Sequence, residues 1–173
     1  DCEGSQAEAL MRRLSMYRLR RKIGMVIDAD IGVFWSKEGR GDPRHAELGK
    51  RWLGTISADD TDVADLFRAH RLSVGITEGI AELGSDQTLW LESNAAELNG
   101  VSFSKGCYVG QENTARMNWR QKVNRRLVVV PLAQADNKRQ RVAYPQLGVS
   151  VELRRVEDMA DLTLPDWQRA AIT

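Results

Sequence analysis

The densest run of chemically able side chains is Lys105-Gly106-Cys107-Tyr108-Val109-Gly110-Gln111-Glu112. Gly106 and Gly110 bracket three residues, and glycine lets a backbone take positive φ and approach a ligand closely. Gln111 and Glu112 follow where a helix would begin. Unpaired N–H groups and the helix dipole at such a start suit an anion or a polar ligand edge. Cys107 stands near Lys105 and that helix start, and both favour a thiolate where they face it. The residues alone equally describe a Gly-rich turn into a surface helix with a buried, inert cysteine, and buried free cysteine is common. His45 and His70 have no partner at metal or triad spacing, and Cys2 and Cys107 form no C-x-x-C pair, so no metal site is expected.

The elements that must position this run are mixed. Leu10, Met11, Leu14 and Tyr17 recur at helical spacing and predict a helix over Ser5–Tyr17. The β-branched run Ile23–Ile27 and the alternation of Ile31, Val33 and Trp35 predict two strands joined near Asp28-Ala29-Asp30. Ser36–Pro43 reads as a loop, Arg51-Trp52-Leu53 as a short strand. Asp60 or Thr61 would cap a second helix with Val63, Leu66, Phe67 and His70 on one face. Leu72–Glu82, with Gly75 and Gly79, reads as a loop, and Asn94–Leu98 as a helical turn stopped by Asn99-Gly100. Gln111–Trp119 is helical and polar. Leu127–Val130 is a strand, and Gly148–Leu153 alternates. Helices and strands intermingle without the beat of a doubly wound sheet, so the expected class is α+β.

Bulk properties narrow the function little. The 173 residues suit one domain or two small ones, and 42% hydrophobic with 28% charged residues is the balance of a packed globular chain. A net charge of +1 gives no global pull toward nucleic acid or a membrane surface. The longest apolar run, Leu127–Ala133, is broken by Pro131 and is too short to span a bilayer. Arg12, Arg13, Arg18, Arg20, Arg21 and Lys22 cluster, as do Arg116, Arg120, Lys122, Arg125 and Arg126. Such runs are usually solvated faces, and direct nucleic-acid binding is not expected. The chain begins at Asp1 without a visible signal peptide.

The Lys105–Glu112 run, followed by Arg116, resembles the signature of the folate-binding YgfZ family at all eight consecutive positions. Gly75-Ile76-Thr77-Glu78-Gly79 resembles the family's G-I-P-E-G. Glu92 and Asn94, ahead of Leu98–Phe103, resemble its P-x-E-x-N stretch, and Arg18-Leu19 its "YRLR" segment. Leu164-Pro165-Asp166-Trp167 resembles a common family ending. The family shares its fold with the T-protein of the glycine cleavage system, whose subdomains surround a tetrahydrofolate channel.

The resemblance implies a GcvT/YgfZ-like folate-binding domain over residues 1–130, partial at its N-terminus, and a shortened C-terminal β-barrel region over 131–173. It implies an accessory protein for assembly or repair of iron–sulfur proteins, tRNA-modifying enzymes among them. The alternative is a T-protein-type tetrahydrofolate-dependent aminomethyltransferase, against which the cysteine in the signature speaks. Carried over by position, Glu92 faces the pterin, because a carboxylate can accept from two adjacent ring N–H donors. Cys107 is the functional thiol, for redox chemistry or as a transient ligand of a cluster shared with a partner, since one cysteine cannot hold a four-iron cluster. Lys105, Tyr108, Gln111, Glu112 and Arg116 complete the expected folate site, with Tyr108 the one aromatic favoured for stacking over Trp52, Trp90 and Trp119. The expected partners are folate and iron–sulfur client or assembly proteins. The expected setting is the cytoplasm of a bacterium or the mitochondrial matrix of a eukaryote. Departures are the missing N-terminal section of full-length members, Thr77 and Leu91 where the family has proline, and the shortened C-terminal strands.

Overall fold

The computed structural model describes residues 2–106, 110–120 and 123–172. The chain divides into two units, Asp1–Phe34 with Trp52–Thr61, and Trp35–Arg51 with Asp62–Thr173. The class is α+β, built on small antiparallel sheets. Among the described residues no helix is long and apolar enough to cross a membrane.

In the first unit, helix α1 (Ala7–Tyr17) follows from a run of good helix formers and stops where Leu19 turns left-handed at φ 50°. The expected strand over Ile23–Ile27 does not form. Those residues have no strand partner, and the Ile23 N–H closes a tight turn onto Arg21 O at 3.0 Å. A β-branched run is strand-like only when another strand accepts its hydrogen bonds. Strand β1 (Ile31–Ser36) pairs with β2 (Lys50–Thr55), and Phe34 stacks on Trp52 with ring centroids 5.8 Å apart.

The second unit begins its helical part with α2 (Ala64–Ser73), whose first N–H bonds to Asp62 Oδ1 at 2.8 Å. The start lies slightly later than Asp60 or Thr61 because Asp60 is used elsewhere, accepting from Ser57 N at 2.6 Å. The stretch read as a loop over Leu72–Glu82 contains the short helix α3 (Gly79–Leu83). Helix α4 (Glu112–Trp119) follows the signature. Strands β3 (Arg125–Pro131), β4 (Gln140–Tyr144) and β5 (Val149–Arg155) then form one antiparallel sheet in the order β3-β5-β4, and α5 (Asp166–Ala170) ends the chain.

That sheet is open. Its outer strands β3 and β4 each pair only with β5 among the described residues. The described strands thus show small antiparallel sheets and no closed or curled barrel of the kind expected. The continuous apolar run of β3 is explained by burial on both faces. Leu127 and Val129 pack with Leu72 and Val151, while Val128 and Val130 pack with Met159, Leu162 and Leu164. A third cluster joins Leu48, Val74, Ile76 and Leu98.

Buried polar contacts fix the G-I-T-E-G segment. Arg71 and Glu82 form a two-pronged ion pair, Nη1–Oε2 2.8 Å and Nη2–Oε1 2.7 Å, with both side chains almost wholly buried. Arg71 Nη1 also donates to Ile76 O at 2.6 Å, and Glu82 accepts from Glu78 N at 2.7 Å and from Tyr144 Oη at 2.8 Å. Glu78 pairs with Arg44, which grips Asp42 through Nε and Nη2. Burial pushes the Asp42 carboxyl up, but the hydrogen bonds and charge of Arg44, with Arg51 behind it, outweigh this and hold it below the ordinary aspartate value.

Gly75 sits at φ +81°, and a Cβ there would lie 2.6 Å from Pro165 Cγ. Gly75→Ala is expected to destabilise the fold by about 2 kcal/mol or more, read as a lower urea midpoint at unchanged slope. Burial, then the hydrogen bond and charge of Glu82, push the Tyr144 hydroxyl up to about 12. Its folded value lies above its unfolded one, so its contribution is complete below the ordinary value of 10.0 and is lost as pH rises toward about 12. Tyr144→Phe is expected to be less stable at neutral pH, with the gap to the parent closing over that alkaline window in chemical denaturation.

Candidate functional site

The loop ahead of the signature is stitched to the start of β3. Leu127 N donates to Glu92 O at 2.8 Å, and Asn94 Nδ2 donates to Leu127 O at 2.9 Å. Asn94 is buried at φ 62°, a left-handed conformation that asparagine tolerates better than most residues. Its Oδ1 accepts from Arg126 Nη1 at 3.0 Å. These contacts deliver Glu92 to a fixed place with 3% of its surface exposed. One carboxylate oxygen accepts from Leu89 N and the other from Arg125 Nε, each at 2.9 Å.

Glu92 lines a cleft of about 760 Å³ together with Asn113, Met117, Asn124, Arg125 and Arg155. That volume lies in the range of small-molecule sites. Asn113 and Met117 are one turn apart on α4, so the helix that follows the signature offers one face to this cleft.

The expected site residues divide between two places. Lys105 and Gln111 line a smaller pocket of about 200 Å³ with Asn99, Gly100, Val101 and Ser102. Gln111 is buried and immediately precedes α4, whereas Lys105 is exposed. Glu112 opens α4 and accepts from Gly110 N at 3.0 Å through Oε2, which satisfies a donor at the helix start from within the chain. Arg116 is exposed in the last turn of α4 and lines neither cavity. Cys107 and Tyr108 lie outside the described residues. Among the described residues no group of three His, Cys, Asp or Glu side chains is gathered to hold a metal ion.

Asn113, Met117, Arg125 and Arg155 were missed as site residues. Asn113 and Met117 share a face of α4 by their four-residue spacing, but nothing in the sequence marks that face as the one lining a cleft. Arg125 is hidden in a basic run, and only the pairing of β3 with the Glu92 loop distinguishes it from its neighbours.

The donor set fits a folate ring edge. A carboxylate offers about four acceptor positions, and the two contacts above leave one open on each oxygen. Two adjacent N–H donors are what such a pair of positions receives.

No family model matches the chain. It is similar to the human protein named iron-sulfur cluster assembly factor IBA57, mitochondrial, at 35% identity over 156 residues, which covers 75% of this chain and 44% of that protein. The mouse protein of the same name is 35% identical over 159 residues, covering 76% of this chain and 44% of its own. A homologue from Pyricularia oryzae aligns with 99% of this chain and 58% of its own length at 26% identity. The chain thus spans less than half of the two mammalian relatives. Over three quarters of its length the chain is thus homologous to these iron–sulfur cluster assembly factors, in agreement with the resemblance carried by Lys105–Glu112.

Proposed function

We propose that this chain is a folate-binding accessory protein that supports the assembly of iron–sulfur proteins, and that it works in mitochondria, as the named relatives do. The observation that carries the folate part is Glu92: a buried carboxylate, tied at both oxygens, on the wall of a cleft of ligand size. The iron–sulfur part is carried by the homology.

In this reading Glu92 accepts from adjacent ring N–H groups and sets the ring's orientation. Asn113 and Met117 flank the ring from α4, one as a hydrogen-bonding group and one as an adaptable apolar wall. Lys105 and Gln111 line a separate small pocket that serves the rest of the folate, and Glu112 holds the Gly110 backbone in place. Tetrahydrofolate, when bound, supplies a carrier for one-carbon units. Cys107 is the thiol through which the chain meets a partner's cluster, with Tyr108 beside it and Arg116 as a cation near the folate tail.

Calorimetric titration of tetrahydrofolate into the purified chain, beside Glu92→Ala, tests the proposal. The parent is expected to bind, and the variant to bind at least about tenfold more weakly, because a charge-assisted pair is lost. A folded parent that takes up no folate, or a variant that binds as the parent does, would remove the ring from this cleft.

A further inference from the structure

We propose that Arg125 is a positioning residue for Glu92: it locks the carboxylate in the one orientation that leaves a paired acceptor edge facing the cleft. The inference rests on the folate reading above and assigns a role to a residue outside the signature.

The geometry is specific. A buried glutamate has three side-chain torsions to fix, and its neighbour must do so without filling the cleft. Leu89 N fixes Oε2, and Arg125 Nε fixes Oε1. With only the Leu89 contact, the carboxylate could pivot about that one bond. With both, the plane of the group is set. Arg125 reaches Glu92 from β3, and the same strand's Leu127 N holds the Glu92 main chain. Backbone and head group are thus registered to one rigid element, which places an acceptor better than a loop does.

Arg125 differs from the next arginine of β3 in exposure, not in pairing. Its partner across the ladder is Arg155, and like charges directly opposed on antiparallel strands are destabilising. Arg155 turns to Glu157, Nη1–Oε1 3.0 Å, and both line the cleft with Glu92 and Arg125. The next opposed pair, Arg126 and Arg154, is again arginine against arginine, each held by a glutamate, Glu97 and Glu152, with both arginines largely buried. Arg125 is instead 48% exposed at its side chain while the carboxylate it holds is buried.

The test is a double-mutant cycle read by calorimetry with tetrahydrofolate as the probe, using Arg125→Gln, Glu92→Gln and the pair. Arg125→Gln is expected to weaken binding about tenfold in the parent and less than about twofold in the Glu92→Gln background, since it acts through Glu92. Arg125→Lys, which restores one charged donor, is expected to recover part of the loss. Equal losses in both backgrounds, or none in the parent, overturn the proposal. A second readout needs no ligand. Amide exchange at Leu89, whose N–H is held by Glu92, is expected to quicken in Arg125→Gln by more than at amides elsewhere in the same unit, beyond any fall in melting temperature. If the parent binds no folate, the folate reading fails and the Leu89 amide alone decides whether Arg125 holds Glu92: quickened exchange supports it, and unchanged exchange overturns it.

Discussion

The ion pair of Arg71 and Glu82 is the contact on which the larger unit depends. Two charges out of water are costly, and further hydrogen bonds offset part of that cost. Here Glu82 is held by Arg71, Tyr144 Oη and Glu78 N, and Arg71 also reaches Ile76 O, while its buried Nε has no hydrogen-bond partner. The pair therefore joins α2, α3, β4 and the 75–79 turn at one point. Such a pair contributes less to net stability than an apolar replacement of equal volume can, but it admits few alternative arrangements. Its product is geometry. With the turn fixed, Gly75 passes beneath Pro165, and Val74 O receives the Trp167 indole N–H at 2.9 Å.

From there the order passes to the candidate site through the main chain of Leu127. Gln168, fully buried on α5, donates to Leu127 O at 2.7 Å, and Asn94 donates to the same oxygen at 2.9 Å. A carbonyl has two lone pairs, and both are used. The N–H of Leu127 goes to Glu92 O. Leu127 lies on an outer strand, whose free edge would otherwise invite pairing with another chain. The edge is instead covered by the very loop that carries Glu92 and by the last helix. Edge protection and site construction are here one set of hydrogen bonds.

What the sequence discloses, and what it hides, follows from the range of the forces involved. Helix α1, strand β3 and the α4 helix after Gly110 are legible because propensity and period are local. Glu92 and Asn94 are legible through the resemblance, which fixes positions though not contacts. The strand expected at Ile23–Ile27 fails because its partner is a matter of tertiary structure. The helix Gly79–Leu83 is hidden behind Gly75 and Gly79, yet Gly75 lies outside it, and Gly79 and Gly84, both at positive φ, bound it. Arg125 could not be separated from Arg126 by sequence, although one faces the cleft and the other is buried against Glu97. Alternation along a strand sends neighbours to opposite faces, and only the register says which face matters.

The charges of the larger cleft carry the argument one step further. Glu92 and Glu157 are balanced by Arg125 and Arg155, so the described lining residues carry no net charge. A cleft of this kind does not gather anions by long-range attraction, and discrimination must come from the direction of its hydrogen-bonding groups. That places the burden on orientation: an acceptor edge pointing wrongly by a fraction of a torsion would recognise nothing. In the folate reading, the contacts that hold Glu92 by its main chain, by Leu89 and by Arg125 are what make the cleft selective, and they come from β3 and the Glu92 loop rather than from the signature. The signature supplies the helix that walls the cleft, while the remainder of the unit aims the carboxylate.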